Sequence, residues 1–249
     1  MALLELADLT RRFGGLVAVD SVTMQVEPGE VRAVIGPNGA GKSTLFHLVT
    51  GVLKPTAGEV RFAGERLTGL PSHRICQRGV SRTFQITALF PEMTARENTQ
   101  LAAQARHPQR WRPLGGGPVF GTAARYGDAA LERLGLMPIA DRPAGLLSHG
   151  DQRLLEVAMA LAQRPRLLLL DEPTQGLSVE ETAQAVATLA GLLSDGDLTV
   201  LLVEHDMEVV FRLAHKITVL HRGAVIADGP PEMVRADVGV QAAYLGGFA

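Results

Sequence analysis

Nine residues in succession, Gly36, Pro37, Asn38, Gly39, Ala40, Gly41, Lys42, Ser43 and Thr44, have the types and spacing that hold a chain of phosphates. They fit G-x-x-x-x-G-K-[ST], a loop whose glycines let the backbone curl until its N–H groups surround phosphate oxygens. Lys42 is placed to reach β- and γ-phosphates, and the Ser43 hydroxyl to ligate Mg²⁺. A second set follows in the run LLLLDEP at 167–173. Asp171 suits the shell of a Mg²⁺ ion, directly or through water, and Glu172 suits a general base that polarises an attacking water. Two acids after an apolar run are ordinarily a helix start. Beside a phosphate loop in the same chain they point instead to a nucleotide hydrolase that uses Mg²⁺, without saying which one, and no guanine-reading Asn/Thr-Lys-x-Asp segment is visible.

Both sets need particular elements around them. The phosphate loop requires a strand before it and a helix after it. Val31–Ile35 reads as that strand and 41–50 as that helix, which adds the partial positive charge of its N-terminus. The run at 167–170 reads as a buried strand that delivers its acids at its C-terminal end, where ligands bind in open α/β sheets. Alternation at 3–9, then 24–26, a Pro28-Gly29 turn and Val31–Ile35 predict N-terminal strands. Residues 60–62 and the stretch after them read as further short strands. From about 90 to 161 strand patterns give way to helical ones, at 97–105, 123–134 and 152–162, with a glycine-rich loop at 108–118. After Pro165 strands and helices alternate again, with helices at 180–193 and 207–214, a strand Thr199–Val203 and a hairpin around His221-Arg222-Gly223. The expected fold is α/β: a mainly parallel sheet with an N-terminal antiparallel part, interrupted by a helical subdomain. Residues 1–249 form one domain on this reading, with 1–85 and 164–249 as the nucleotide-binding core and 86–163 as the helical subdomain.

Composition narrows the setting. The chain has 249 residues, 46% hydrophobic and 20% charged, with a formal net charge of -2. That balance is ordinary for a globular protein and gives no global case for nucleic acid. Arg61, Arg66, Arg74, Arg78 and Arg82 cluster in sequence and are expected to be a solvated surface. The single cysteine, Cys76, fits a structural or surface thiol in a reducing compartment. The N-terminus has no basic region of a signal peptide, and no apolar run approaches the roughly 20 residues that span a bilayer. Service to a membrane would come through a partner.

A third segment, LSHGDQR at 147–153, stands just before the second set. A Ser followed by Gly at a helix N-terminus makes an anion site. Here the chain resembles the ABC ATPases, whose signature runs L-S-G-G-Q. Ser148 and Gly150 match; His149 replaces the first of the two glycines and Asp151 the glutamine. The resemblance implies that this segment contacts the γ-phosphate of ATP held by an opposite subunit. It further implies that Gln85 touches Mg²⁺ and links to a membrane subunit, that His205 contacts the γ-phosphate, and that Phe13 stacks on adenine with Val19 nearby. Gly176-Leu177-Ser178 stands where the family often has A-L-D, so Ser178 replaces an aspartate that couples subunits.

The resemblance covers essentially the whole chain. The stretches SRTFQITALFPEMTARENTQLA, VEHDMEVV and VLHRGAVIADGPPEMVRADVGVQAAYLG look like ATP-binding subunits of branched-chain amino-acid uptake systems and their amide or urea relatives. It implies two membrane-spanning permeases, a second ATPase subunit, an extracytoplasmic substrate-binding protein, and a peripheral place on the cytoplasmic side of the inner membrane. ATPases of lipid or lipopolysaccharide exporters share some of these patterns. Non-transport ABC ATPases usually carry two nucleotide domains or a long coiled coil, and this chain has one set of motifs and no heptad run.

Overall fold

The computed structural model describes residues 1–83, 89–107, 117–194 and 196–245. In chain order the strands are β1 (Leu4–Phe13), β2 (Leu16–Val26), β3 (Val31–Ile35), β4 (Ala57–Phe62), β5 (Glu65–Arg66), β6 (Val80–Arg82), β7 (Leu167–Asp171), β8 (Thr199–Val203), β9 (Lys216–His221) and β10 (Ala224–Gly229). The helices are α1 (Lys42–Val49), α2 (Ser72–Arg78), α3 (Ala95–Arg106), α4 (Gly117–Arg133), α5 (His149–Ala162), α6 (Val179–Ser194), α7 (Met207–Leu213), α8 (Pro231–Ala236) and α9 (Val238–Leu245). They fall into two units, Met1–Arg78 with Gly196–Ala249, and Gly79–Asp195.

The first unit holds an antiparallel sheet in the order β2-β1-β4-β5 and the strands β10-β9-β3-β8. In the second half of β2 Val22, Met24 and Val26 are buried while Thr23 and Gln25 are exposed, the two-residue period of a strand with one face on a core. The strand begins at Leu16, well before the three residues its apolar pattern marks. Its first half is held by antiparallel pairing with β1 instead, Phe13 opposite Leu16 and Arg11 opposite Val19. β3 is buried at every residue and runs parallel to β8 on one side and β9 on the other. That arrangement is the reason its sequence is continuously apolar apart from Arg32. Arg32 is 2% exposed and is satisfied inside by Glu30, Thr218 and Asp228. Ala33 and Ile35 pack with Val210, Ile217, Val219 and Val234, so helices α7 and α8 cover this part of the sheet. The α/β class expected from the alternation of elements is the one observed.

The short strands expected at 60–62 and just after are β4 and β5, and α2 at 72–78 is a helix that the sequence pattern does not mark. The helix starts on Pro71, whose carbonyl accepts from the Arg74 and Ile75 N–H groups. It buries only Ile75, too few apolar positions to print a helical period on seven residues.

In the second unit β6 and β7 pair in parallel, Val80 opposite Leu167 and Arg82 opposite Leu169. Between them the described residues form helices and two short 3₁₀ turns, with an isolated bridge between Thr94 and Pro143. Thr94 starts α3 with a reciprocal cap: its hydroxyl accepts from the Glu97 N–H, and the Glu97 carboxylate accepts from the Thr94 N–H. That is the T-x-x-E pattern doing its work on two orphan amides. Helices α3, α4 and α5 pack on one another.

Candidate nucleotide site

In the first unit the phosphate loop grows out of β3. Gly41 has φ 105° and Gly39 φ 80°, conformations that side chains resist. At Gly41 a Cβ would also lie 2.3 Å from the Ala18 carbonyl oxygen, so any other residue there must push the β1–β2 ribbon away. Gly41 is also the N-cap of α1; no side chain caps the helix there, and its first turn carries no acid. Its leading amides and positive end are therefore left for an external anion. Lys42 is 6% exposed, and its ammonium donates to the Gly36 carbonyl at 2.6 Å and the Pro37 carbonyl at 3.1 Å. The charge thus rests on the loop that it would leave, or share, for a phosphate. Ala40 is buried, Pro37, Ser43 and Thr44 are half-buried, and Asn38 is exposed at the tip.

His205 belongs to the same neighbourhood by register. Val34 of β3 lies opposite Val203 of β8, so the loop after Ile35 and the residues after Val203 leave one end of the sheet. His205 is exposed there, with its N–H donating to the carboxylate of buried Glu204 at 2.9 Å. Phe13, at the end of β1, is 42% exposed with the Arg11 guanidinium 4.5 Å from its ring centre. Val19 is fully buried, opposite Arg11 in the β1–β2 pairing.

In the second unit β7 is buried throughout and ends on Asp171, whose side chain is 0% exposed. Glu172, 5% exposed, follows with φ 51°. A non-glycine residue in this left-handed region costs on the order of 1–3 kcal/mol and persists where its surroundings hold it, a pattern concentrated at functional sites. The Asp171 carboxylate accepts from Arg82 Nη2 at 2.5 Å. This overturns the expectation that Arg82 belongs to a solvated patch: its side chain is 12% exposed. Of the other clustered arginines, Arg61 pairs with Glu59 and Arg78 with Glu65 at the surface, as expected for that group. Gln85 lies outside the described residues.

Ser148 caps α5. Its Oγ accepts from the Asp151 N–H at 3.1 Å and donates to Asp151 Oδ2 at 2.8 Å. The carboxylate at the family's glutamine position is thus turned onto its own helix end. The Gly150 N–H donates to Glu181 Oε1 at 3.2 Å. Glu181 also accepts from the Ser178 N–H, while the Ser178 hydroxyl accepts from the Glu181 N–H. Ser178 therefore serves as the cap of α6 where the family often has aspartate. The Ser178 N–H, then the Gly150 N–H and the Ser178 hydroxyl, hold the Glu181 carboxyl below its ordinary range. A depressed acid contributes its link while ionised, so this tie between α5 and α6 persists through neutral pH and is lost as pH falls through the lowered value. Neither Arg82 nor Glu181 stands out in the sequence. Each acquires its partner through folding across many residues.

Comparisons with known proteins identify the family. A model of the ABC transporter family matches residues 19–175, and one of the branched-chain amino acid ATP-binding cassette transporters matches residues 224–249. The chain belongs to the ABC transporter family, as an ATP-binding and ATP-hydrolysing subunit. It is 46% identical over 98% of its length to the high-affinity branched-chain amino acid transport ATP-binding protein BraF of Pseudomonas aeruginosa, of which it covers 98%. It is 42% identical, with the same coverage of both chains, to the corresponding LivG protein of Escherichia coli. Among solved structures it resembles a nucleotide-free ATP-binding cassette from an ABC transporter, with a TM-score of 0.84, 30% identity and 98% of this chain and 99% of that one covered. It also resembles a dimeric cassette in a post-hydrolysis state bound to ADP and phosphate, with a TM-score of 0.74, 26% identity, and 92% and 98% of the two chains covered. Among the described residues no helix is long and apolar enough to cross a membrane.

Proposed function

We propose that this subunit powers uptake of branched-chain amino acids or related small polar solutes through two permease subunits, paired with a second ATPase subunit of the same or similar chain. The observation that carries the reading is the similarity to BraF along nearly the whole of both chains, tail included. An extracytoplasmic binding protein would deliver the solute, and the subunit would sit peripherally on the cytoplasmic face of the inner membrane. Residues 86–163 would face the permeases. In support, a cleft of about 310 Å³ within the second unit is lined by Phe90, Leu101 and Met159, and Phe90 and Leu101 are 48% and 38% exposed. Copurification of the chain with its partners, followed by ATPase assays in liposomes, tests the proposal. ATP turnover should rise when binding protein loaded with leucine is enclosed. Stimulation by a lipid and not by a loaded binding protein would replace uptake with export.

Within the subunit, Lys42 and the loop amides would hold the phosphates, His205 would contact the γ-phosphate, and Glu172 would accept the proton of the attacking water. On the family pattern Mg²⁺ would be held by hard oxygens, those of the Ser43 hydroxyl, the Asp171 carboxylate and Gln85. Asp171 suits that part, since its Oδ1 is buried with no hydrogen-bond partner among the described residues. When bound, the ion neutralises charge on the phosphate oxygens.

Phe13 would stack on adenine. Phe13→Ala is expected to raise the ATP dissociation constant by the worth of one base–aromatic contact, ~1–3 kcal/mol. Equilibrium titration with a fluorescent ATP analogue reads this directly, and an unchanged constant would remove Phe13 from the site.

A further inference from the structure

We infer that Arg82 is the internal counter-ion of Asp171 and that its charge weakens the grip of that carboxylate on a divalent cation. The inference rests on the reading of Asp171 as a metal ligand. β6 and β7 lie in parallel register, which brings Thr83 beside the end of β7. The Thr83 N–H donates to the Leu169 carbonyl at 3.0 Å, and the Asp171 N–H donates to Thr83 Oγ1 at 3.2 Å. The two strand ends are thereby locked, and from that position the Arg82 guanidinium reaches Asp171 Oδ2 at 2.5 Å.

The carboxylate is then divided. Oδ2 carries a charged hydrogen bond, and Oδ1 is buried with no partner among the described residues. Burying a carboxylate without a positive partner is costly. Arg82 supplies that partner when no metal is bound and holds the Asp171 side chain in place. A divalent cation that arrives at Oδ1 must share the carboxylate with a guanidinium a few ångströms away, and like charges at that range repel appreciably even at high effective dielectric. Arg82 is therefore a positioning residue with a cost built in. It holds the ligand ready and keeps the ion exchangeable between turnovers.

The test is Mn²⁺ binding, read by electron paramagnetic resonance, to the full chain loaded with ADP. Arg82→Gln keeps a hydrogen-bond donor and removes the charge. It should tighten Mn²⁺ by about tenfold or more. Arg82→Lys keeps the charge and should bind Mn²⁺ close to the parent chain. Weaker binding in both variants would make Arg82 a scaffold only, and unchanged affinity in Arg82→Gln would leave it without influence on the metal; either overturns the inference. If Arg82→Gln is insoluble on its own, it is purified with Mn²⁺ and ADP throughout. Recovery only with the cation supports the counter-ion role, and insolubility under both conditions overturns it. ADP binding in excess chelator is measured alongside. Its absence in the parent chain would sink the reading of the nucleotide site itself, whereas a flat Mn²⁺ response sinks only the role given to Arg82.

Discussion

Glu172→Gln is expected to leave ATP bound and to slow its turnover by ~10²–10⁴-fold in the assembled transporter, the usual worth of a general base. In transition-state terms that is roughly 3–5 kcal/mol. The substitution is a clean one here for a structural reason. Glu172 is 5% exposed and sits at φ 51°, a conformation imposed by the chain around it. Glutamine has nearly the same shape, so the packing and the backbone strain carry over and only the proton acceptor is lost. Single-turnover kinetics with radiolabelled ATP, beside equilibrium binding, separates the two effects. Full turnover in the variant would move the base elsewhere. Weak binding with unchanged turnover of what is bound would make Glu172 a ligand for the nucleotide instead.

The second large effect is expected at the start of α5. On the Glu172→Gln background ATP is held and not consumed, so it should bridge two ATPase subunits. Ser148→Arg should abolish that ATP-driven pairing, because on the proposed arrangement residue 148 would face the partner's γ-phosphate and the larger side chain would block the contact. Ser148 also caps its own helix, and loss of an N-cap costs about 1 kcal/mol of stability. Ser148→Ala isolates that smaller term: it should lower the melting temperature slightly and weaken pairing without ending it. Asp151 supplies the converse check. Its carboxylate is tied to the Ser148 hydroxyl at 2.8 Å. Asp151→Gln releases that hydroxyl and removes a negative charge from the neighbourhood of a triphosphate, so pairing should be unchanged or mildly stronger. Size-exclusion chromatography with ATP and the partner subunit present measures all three. Undiminished dimers of the Ser148→Arg protein would mean that this helix end is not the face that meets the partner.

Much of the site was legible before folding because its parts are local. The phosphate loop is a continuous stretch flanked by β3 and α1, and each of its requirements is met within about a dozen neighbouring residues: apolar strand, glycines at positive φ, helix amides left uncapped. The acids at 171 and 172 announce themselves by following four consecutive leucines after Pro165, a short run that reads as a strand buried on both faces and is one. The capping pattern of Thr94 and Glu97 is likewise readable, although the helix it starts begins at Ala95, two residues earlier than the apolar period suggests. Family resemblance ties these local parts to one activity.

Pairing in space decided the rest. Arg82 lies among arginines that do end up at the surface, and nothing in its own stretch separates it from them. What sets it apart is the register of β6 against β7, which carries it to an aspartate 89 positions further along the chain and shields both from water. Glu181 is a similar case. Its local role is to cap α6 with Ser178, but the packing of α5 against α6 gives its second oxygen the Gly150 amide. Composition and period report how a residue meets its sequence neighbours and the solvent. They carry no term for a charge that finds its partner only when two distant elements dock, because that interaction exists only once tertiary packing has removed water from both groups.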